Sequence, residues 1–188
     1  MKIIKMISIV MVSHMVFGAI SHTQAKGNAS PSLVDTLQWI TNKLENYQFG
    51  TEDFNYTYFK PIIIDCKITT TLRAESPDGK AVIDSTVSGK LSDIDPDFIR
   101  ITEGNEYNPV ELVAYIKKES TPFERKWVMQ YFKNDSFTNK ISNHEDKSFK
   151  LFFHSLAFAN RFKKAISHAA EQCVQIEDSK PRQDIELF

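Results

Sequence analysis

Residues 148–173 of the chain, SFKLFFHSLAFANRFKKAISHAAEQC, place apolar side chains three or four positions apart. This spacing continues over about seven helical turns and puts the apolar side chains on one face, with most charged side chains opposite. The face consists of Phe149, Phe152, Phe153, Leu156, Ala159, Phe162, Ile166, Ala169 and Cys173. We therefore predict a long amphipathic helix with Ser148 as its N-cap, ending near residues 173–176.

The sequence before this helix has the alternation that is typical of β-strands. Phe54, Tyr56 and Tyr58 alternate with polar residues, and the run 62–72 is rich in Ile and Thr. Its alternation places Cys66 on the same strand face as Ile64 and Ile68. A turn at Ser76-Pro77-Asp78-Gly79 would join this run to a partner strand at 81–87, as a hairpin over 62–87. Further strands are predicted at residues 97–102, 110–117, 126–132 and 137–142.

A second helix is predicted at the N-terminal side of the strands, over residues 32–46. Ser30 and Pro31 suit a helix start, and apolar residues recur at helical spacing after them. The order of elements favours an α+β fold. We expect a small, strongly bent antiparallel sheet or barrel of about six or seven strands, with an N-terminal helix and a long C-terminal capping helix.

This order of elements over residues 54–175 resembles the pleckstrin-homology-like superfold, a small barrel capped by a C-terminal helix. Three segments also resemble a group of uncharacterised exported bacterial proteins: DTLQWITNKL at residues 35–44, LSDID at residues 91–95 and RFKKAISHA at residues 161–169. The resemblance implies a fold and supplies no activity, because one fold serves many functions.

Residues 1–25 are predicted to be a cleavable signal peptide. Lys2 and Lys5 precede an apolar run over residues 7–20, and residues 23–25 (TQA) fit a cleavage site. The alternative is an uncleaved N-terminal anchor, although the run is short for a membrane span of about 20 residues. The prediction implies a periplasmic or secreted protein. The apolar run is rich in Ile and Met, which favours a bacterial signal peptide.

After cleavage we expect a single globular domain over residues 26–176, a charged C-terminal tail over residues 177–188 and no transmembrane segment. The chain contains two cysteines, Cys66 and Cys173. In an oxidising compartment such a pair forms a disulfide, and the alternative is two separately buried thiols.

The charge pattern argues against a nucleic-acid partner. The chain has 23 Lys and Arg against 24 Asp and Glu, a formal net charge of −1, so it lacks the basic balance of such proteins. The densest basic cluster, Arg161, Lys163 and Lys164, is interpreted as a solvated helix face.

No catalytic, cofactor-binding or metal-binding motif is found in the sequence. Asp93, Asp95 and Asp97 alternate, but the glycine and glutamate of an EF-hand are absent at the required spacing. His154 and His168 stand about 21 Å apart along a helix and cannot share a metal ion. We expect no enzyme and no cofactor.

Aromatic residues after the first helix are the candidates for partner binding, in particular Tyr56, Tyr58 and Phe59. The sequence predicts a non-enzymatic binding module for a protein, a peptide or a component of the cell envelope, docked along an exposed strand edge or beside the C-terminal helix. The alternatives are an enzyme, hydrolase-like, with a spatially assembled site, and a purely structural envelope or stress protein.

Overall fold

A computed structural model of the chain describes residues 30–105, 108–133 and 136–179. The predicted signal peptide and residues 180–188 of the predicted tail lie outside the described residues. Two α-helices, ten β-strands and a short 3-10 helix, Leu91–Asp93, are described. In chain order the helices and strands are α1 Leu33–Leu44, β1 Gln48–Gly50, β2 Asn55–Tyr58, β3 Ile62–Ile64, β4 Lys67–Glu75, β5 Ala81–Lys90, β6 Ile94–Thr102, β7 Val110–Ile116, β8 Phe123–Lys133, β9 Ser136–Asp146, β10 Ser148–Phe153 and α2 Leu156–Ser179.

The strands form two antiparallel sheets. The large sheet has seven strands in the order β1-β2-β4-β5-β8-β9, with β3 paired to the beginning of β4, and the small sheet has the order β10-β7-β6. The predicted α+β class, with antiparallel strands between two helices, is confirmed. The predicted strand number was too low, and neither sheet closes into a barrel within the described residues.

Residues 148–153 form β10, so the prediction of a helix beginning at Ser148 was wrong. Phe149, Leu151 and Phe153 are buried, whereas Phe152 between them is half-buried. This alternation is the strand period, and β10 pairs with β7 along its whole length. The three phenylalanines of this segment, Phe149, Phe152 and Phe153, satisfy both the helical and the strand spacing, and pairing with β7 selects the strand.

Helix α2 begins after Ser155 and not after Ser148. The hydroxyl of Ser155 accepts a hydrogen bond of 3.2 Å from the backbone N–H of Phe158, which is the usual contact of an N-cap. The helix continues to Ser179, past the predicted end at 173–176. Helix α1 likewise starts later than the Ser30 cap implied, because Ser32 caps it and accepts from the N–H of Asp35 at 3.2 Å.

The run 62–72, predicted as one strand, is a hairpin of β3 and the start of β4. Asp65 and Cys66 form its two-residue turn, with positive φ angles of 46° and 61°. Such turns match the twist of the paired strands and usually contain Asn-Gly, which the sequence lacks here. Cys66 therefore lies in a turn and not on the strand face that the alternation predicted.

One apolar core joins the two sheets and the two helices. Helix α2 packs across β6 and against α1, and its buried Phe162 lies 4.9 Å from the ring of Trp39 and 4.8 Å from the ring of Phe153. The sulfurs of Cys66 and Cys173 are bonded at 2.03 Å, with their Cα atoms 5.9 Å apart. The bond ties the β3–β4 turn to α2. Neither described helix combines the length and the apolar character that a membrane span requires.

A buried ion pair lies where β8 and β9 meet β10. The Nη2 atom of Arg125 is 3.0 Å from Oδ2 of Asp146, and their side chains are 6% and 23% exposed. Within the described residues, neither Nε nor Nη2 of Arg125 makes an aligned hydrogen bond, so the contact is a pairing of charges. Oδ1 of Asp146 is engaged separately, by the N–H and the hydroxyl of Ser148 at 3.0 and 2.9 Å.

Candidate functional site

A groove of about 370 Å³ runs between α1 and the first half of α2. Its walls are mostly apolar atoms, with charged groups at the rim. The residues that matter to its chemistry are Pro31, Thr36 and Trp39 on the α1 side and Arg161, Lys164 and His168 on the α2 side. The groove lies where α1 packs against α2, which itself packs across the small sheet.

The side chain of Trp39 lines the groove. This residue borders the apolar face of α1 and is half-buried, with its ring against that of Phe162. Phe162 in turn contacts the rings of Phe153 and Phe158, at 4.8 and 5.2 Å. Trp39 is therefore backed by a packed aromatic cluster, which restricts the orientation of its ring.

The rim of the groove is positively charged. Arg161 and Lys164 are exposed, and neither makes an ion pair in the part of the chain that the structure describes. No acidic residue stands three or four positions after either of them on α2, where a helix would pair the charges. The one carboxylate at the groove, that of Asp35, accepts from the Ser32 hydroxyl at 2.6 Å.

His168 joins the two walls at one end of the groove. Its Nε2 lies 2.8 Å from the carbonyl oxygen of Pro31. Because a carbonyl only accepts, Nε2 carries the proton of this hydrogen bond. The contact holds the residues that lead into α1 against α2, so this histidine positions the groove.

The other two histidines of the described residues lie elsewhere. His144 has its ring against that of Trp127, at 5.8 Å. His154 bonds the hydroxyl of Tyr47 through Nδ1, and its backbone N–H donates to the same hydroxyl at 3.1 Å. Burial raises the pKa of Tyr47 above its ordinary value of 10. Among the described residues no group of three His, Cys, Asp or Glu side chains is placed to hold a metal ion.

The three aromatic residues predicted to contact a partner do not share a surface. Tyr58 is 1% exposed, and its hydroxyl accepts from the N–H of Phe152 at 2.7 Å. Tyr56 is half-buried and stacks on Phe49, with ring centroids 4.7 Å apart. Phe59 is exposed, with the guanidinium of Arg73 over its ring. Partner binding by these residues stays a prediction, and only Tyr56 and Phe59 are accessible for it.

The burial of Tyr58 gives an expected alkaline sensitivity. Burial raises the pKa of Tyr58 well above its ordinary value of 10, so the folded chain holds the proton after the unfolded chain has lost it. The stability from this residue is complete below pH 10 and is lost as the pH rises. We expect the free energy of unfolding to fall by about 1 kcal/mol between about pH 9 and pH 11 through this one group.

Urea titrations of the Tyr58→Phe variant at both pH values measure this effect. The variant loses the hydrogen bond from Phe152 at every pH, but its stability should fall less steeply with pH than that of the wild type. Tyr115→Phe, at an exposed position, is the control and should keep the wild-type slope. Equal slopes in all three proteins would contradict the assignment.

The sequence does not predict the groove, although it contains both of its components. Trp39 borders the apolar stripe of α1 that Leu37 and Ile40 belong to, and the sequence favours a solvated helix face for Arg161 and Lys164. One feature of the sequence does point to the groove: neither cation has an acidic residue three or four positions after it, where a helix would place an ion-pair partner. No protein-family model, no curated protein and no solved structure matches the chain, so the chemistry of the groove rests on its own residues.

Proposed function

We propose that the chain is an exported, non-enzymatic binding module that recognises an acidic peptide segment in the groove between α1 and α2. The observation that carries the proposal is the placement of Trp39, packed against its aromatic neighbours, beside Arg161 and Lys164, which make no ion pair among the described residues. The groove lies beside the C-terminal helix, one of the two docking surfaces that the sequence predicts.

The chemistry of the groove favours an acidic peptide that also carries an apolar side chain. Its apolar walls favour burial of an aliphatic or aromatic group, and the guanidinium of Arg161 suits a carboxylate, which it can contact through two parallel hydrogen bonds. A volume of about 370 Å³ lies at the small end of the range of ligand pockets. It would accommodate one or two side chains of an extended peptide and leave the peptide backbone at the rim.

The proposal of export is supported by two independent features. The cysteines are bonded, and structural disulfides belong mainly to oxidising compartments such as the bacterial periplasm. The first 25 residues have the charge and hydropathy pattern of a signal peptide. We also propose the pleckstrin-homology-like resemblance as a description of the fold, supported by the C-terminal helix that packs on antiparallel strands.

Charge reversal in the groove tests the function. The probe is a synthetic acidic peptide of about eight residues with one central phenylalanine, and its binding is followed by the emission of Trp39 in a Trp127→Phe background. We expect Arg161→Glu combined with Lys164→Glu to weaken binding about ten-fold or more, because two attractive contacts become repulsive.

The matched control is Lys118→Glu combined with Lys126→Glu, which makes the same change in net charge at exposed positions outside the groove. It should bind the probe as the wild type does at physiological salt. The proposal is wrong if both double variants lose affinity equally. It is also wrong if neither the wild type nor any variant binds the probe at about 1 mM.

A further inference from the structure

We infer that residues 184–188 of the same chain, Asp-Ile-Glu-Leu-Phe, bind in the groove between α1 and α2 and compete there with external acidic peptides. This segment, called here the DIELF segment, follows α2 in sequence and lies outside the described residues. The inference rests on the proposed function, because it names an occupant for the same groove.

The DIELF segment has the chemistry that the groove accepts. Asp184 and Glu186 supply two carboxylates, which matches the two unpaired cations of Arg161 and Lys164. The other three residues are aliphatic or aromatic and suit the apolar walls and the ring of Trp39. The match therefore includes both the charge and the apolar component of the groove.

The length of the chain after α2 fits the position of the groove. His168 and Arg161 precede the last residue of α2 by distances of about 16 and 27 Å along the helix axis, at 1.5 Å per residue. Counted from the same point, an extended chain reaches about 17 Å at residue 184 and about 30 Å at residue 188. Proline disfavours continuation of a helix, and the inference requires the chain to reverse its direction after Ser179, where Pro181 follows. The DIELF segment would then run along the groove.

The charges of α2 oppose the alternative that the segment stays near the end of the helix. Glu177 and Asp178 lie in the last turn of α2, where the helix dipole is already negative. Glu177 is 3.4 Å from the ammonium of Lys90, and a further acidic segment there would meet repulsion. Arg161 and Lys164, which make no ion pair with any residue that the structure describes, stand in the first half of α2, at the groove.

The expected effect of such an occupant is partial competition. A short tether holds the segment at an effective concentration of about 1 mM, so even weak binding fills much of the groove. Removing the competition should raise the affinity for an external acidic peptide by about two-fold to ten-fold. The size depends on the affinity of the segment itself.

The experiment uses the full chain and the same acidic probe peptide. The variant Asp184→Lys with Glu186→Lys should bind the probe at least about two-fold more tightly than the wild type. The control, Glu52→Lys with Asp53→Lys, makes the same change in net charge at exposed positions after β1 and should bind as the wild type does. The increase should also be independent of protein concentration, since the competition is within one chain.

Each of the other possible results of the binding experiment contradicts the inference in a different way. If the probe binds the wild type and the Asp184/Glu186 variant equally, the inference is overturned and the proposed function stands. An equal increase in the control overturns it as a general effect of charge. An increase that grows with protein concentration assigns the occupant to a second copy and also overturns it. Failure of the probe to bind any of the proteins removes the proposed function together with the inference.

Discussion

Reduction of the Cys66–Cys173 disulfide is expected to lower the free energy of unfolding by about 4–5 kcal/mol. The bond closes a loop of 107 residues, and the entropy that it removes from the unfolded chain grows with loop length. The value is an upper figure, because constraint in the folded state lowers it. Urea titrations with and without a reductant measure the effect on an unchanged sequence.

The double variant Cys66→Ala, Cys173→Ala is the control for this experiment. It should have the stability of the reduced wild type and should not respond to reductant. If reductant destabilises the variant as much as the wild type, the effect does not come from the disulfide. If the wild type is as stable reduced as oxidised, the turn and α2 hold each other without the bond.

The variant Asp146→Asn is expected to lower the free energy of unfolding by about 3–5 kcal/mol, because it leaves the buried guanidinium of Arg125 without a counter-charge. The asparagine keeps Oδ1, which accepts both hydrogen bonds from Ser148 in the wild type, so the variant removes the charge and little else. Urea titration at neutral pH measures the loss.

Two further variants separate a buried charge from an ordinary ion pair. Arg125→Met with Asp146→Asn should recover most of the loss, since no buried charge remains. Glu45→Gln breaks the exposed contact with Lys60, which is 3.6 Å long, and should change stability by less than about 1 kcal/mol. Equal losses in Asp146→Asn and Glu45→Gln would show that burial of Arg125 does not raise the cost of leaving it unpaired.

The sequence predicts elements well where a single period is present. Helix α1, the turn at residues 76–79, β5 and β7 follow the predicted positions within a few residues. It fails at residues 148–153, because Phe149, Phe152 and Phe153 fit either a helix or a strand. That choice depends on β7, which lies more than thirty residues earlier in the chain. Tertiary pairing of this kind is outside the information in a local pattern.

The sequence predicts the pairing of the two cysteines, although the backbone position that it predicts for Cys66 differs from the observed one. The sequence placed Cys66 on a strand face, and the structure places it in a two-residue turn whose left-handed backbone no Asn-Gly signal announced. Cys66 is nevertheless buried, at 7% exposed, and Cys173 lies on the buried face of α2 as predicted. The apolar pattern therefore predicts that both cysteines are buried. It does not predict the β3–β4 hairpin, whose turn places Cys66 in the core.

Local sequence patterns are not sufficient to predict the groove. Trp39 and Arg161 are far apart in sequence, and they meet because α1 and α2 pack against each other. The individual signals were a tryptophan beside an apolar stripe and cations without acidic partners on a helix. Neither signal predicts a site until the packing of the two helices is known.

The disulfide also sets a time order for the making of the protein. Cys66 leaves the ribosome 107 residues before Cys173, and at about 5–20 residues per second this interval lasts about 5–20 s. Throughout it the thiol of Cys66 has no partner within the chain, because Cys173 is not yet made and the sequence holds no third cysteine. The bond is therefore a late step that follows the synthesis of every described strand, and any disulfide that Cys66 forms earlier joins it to another molecule.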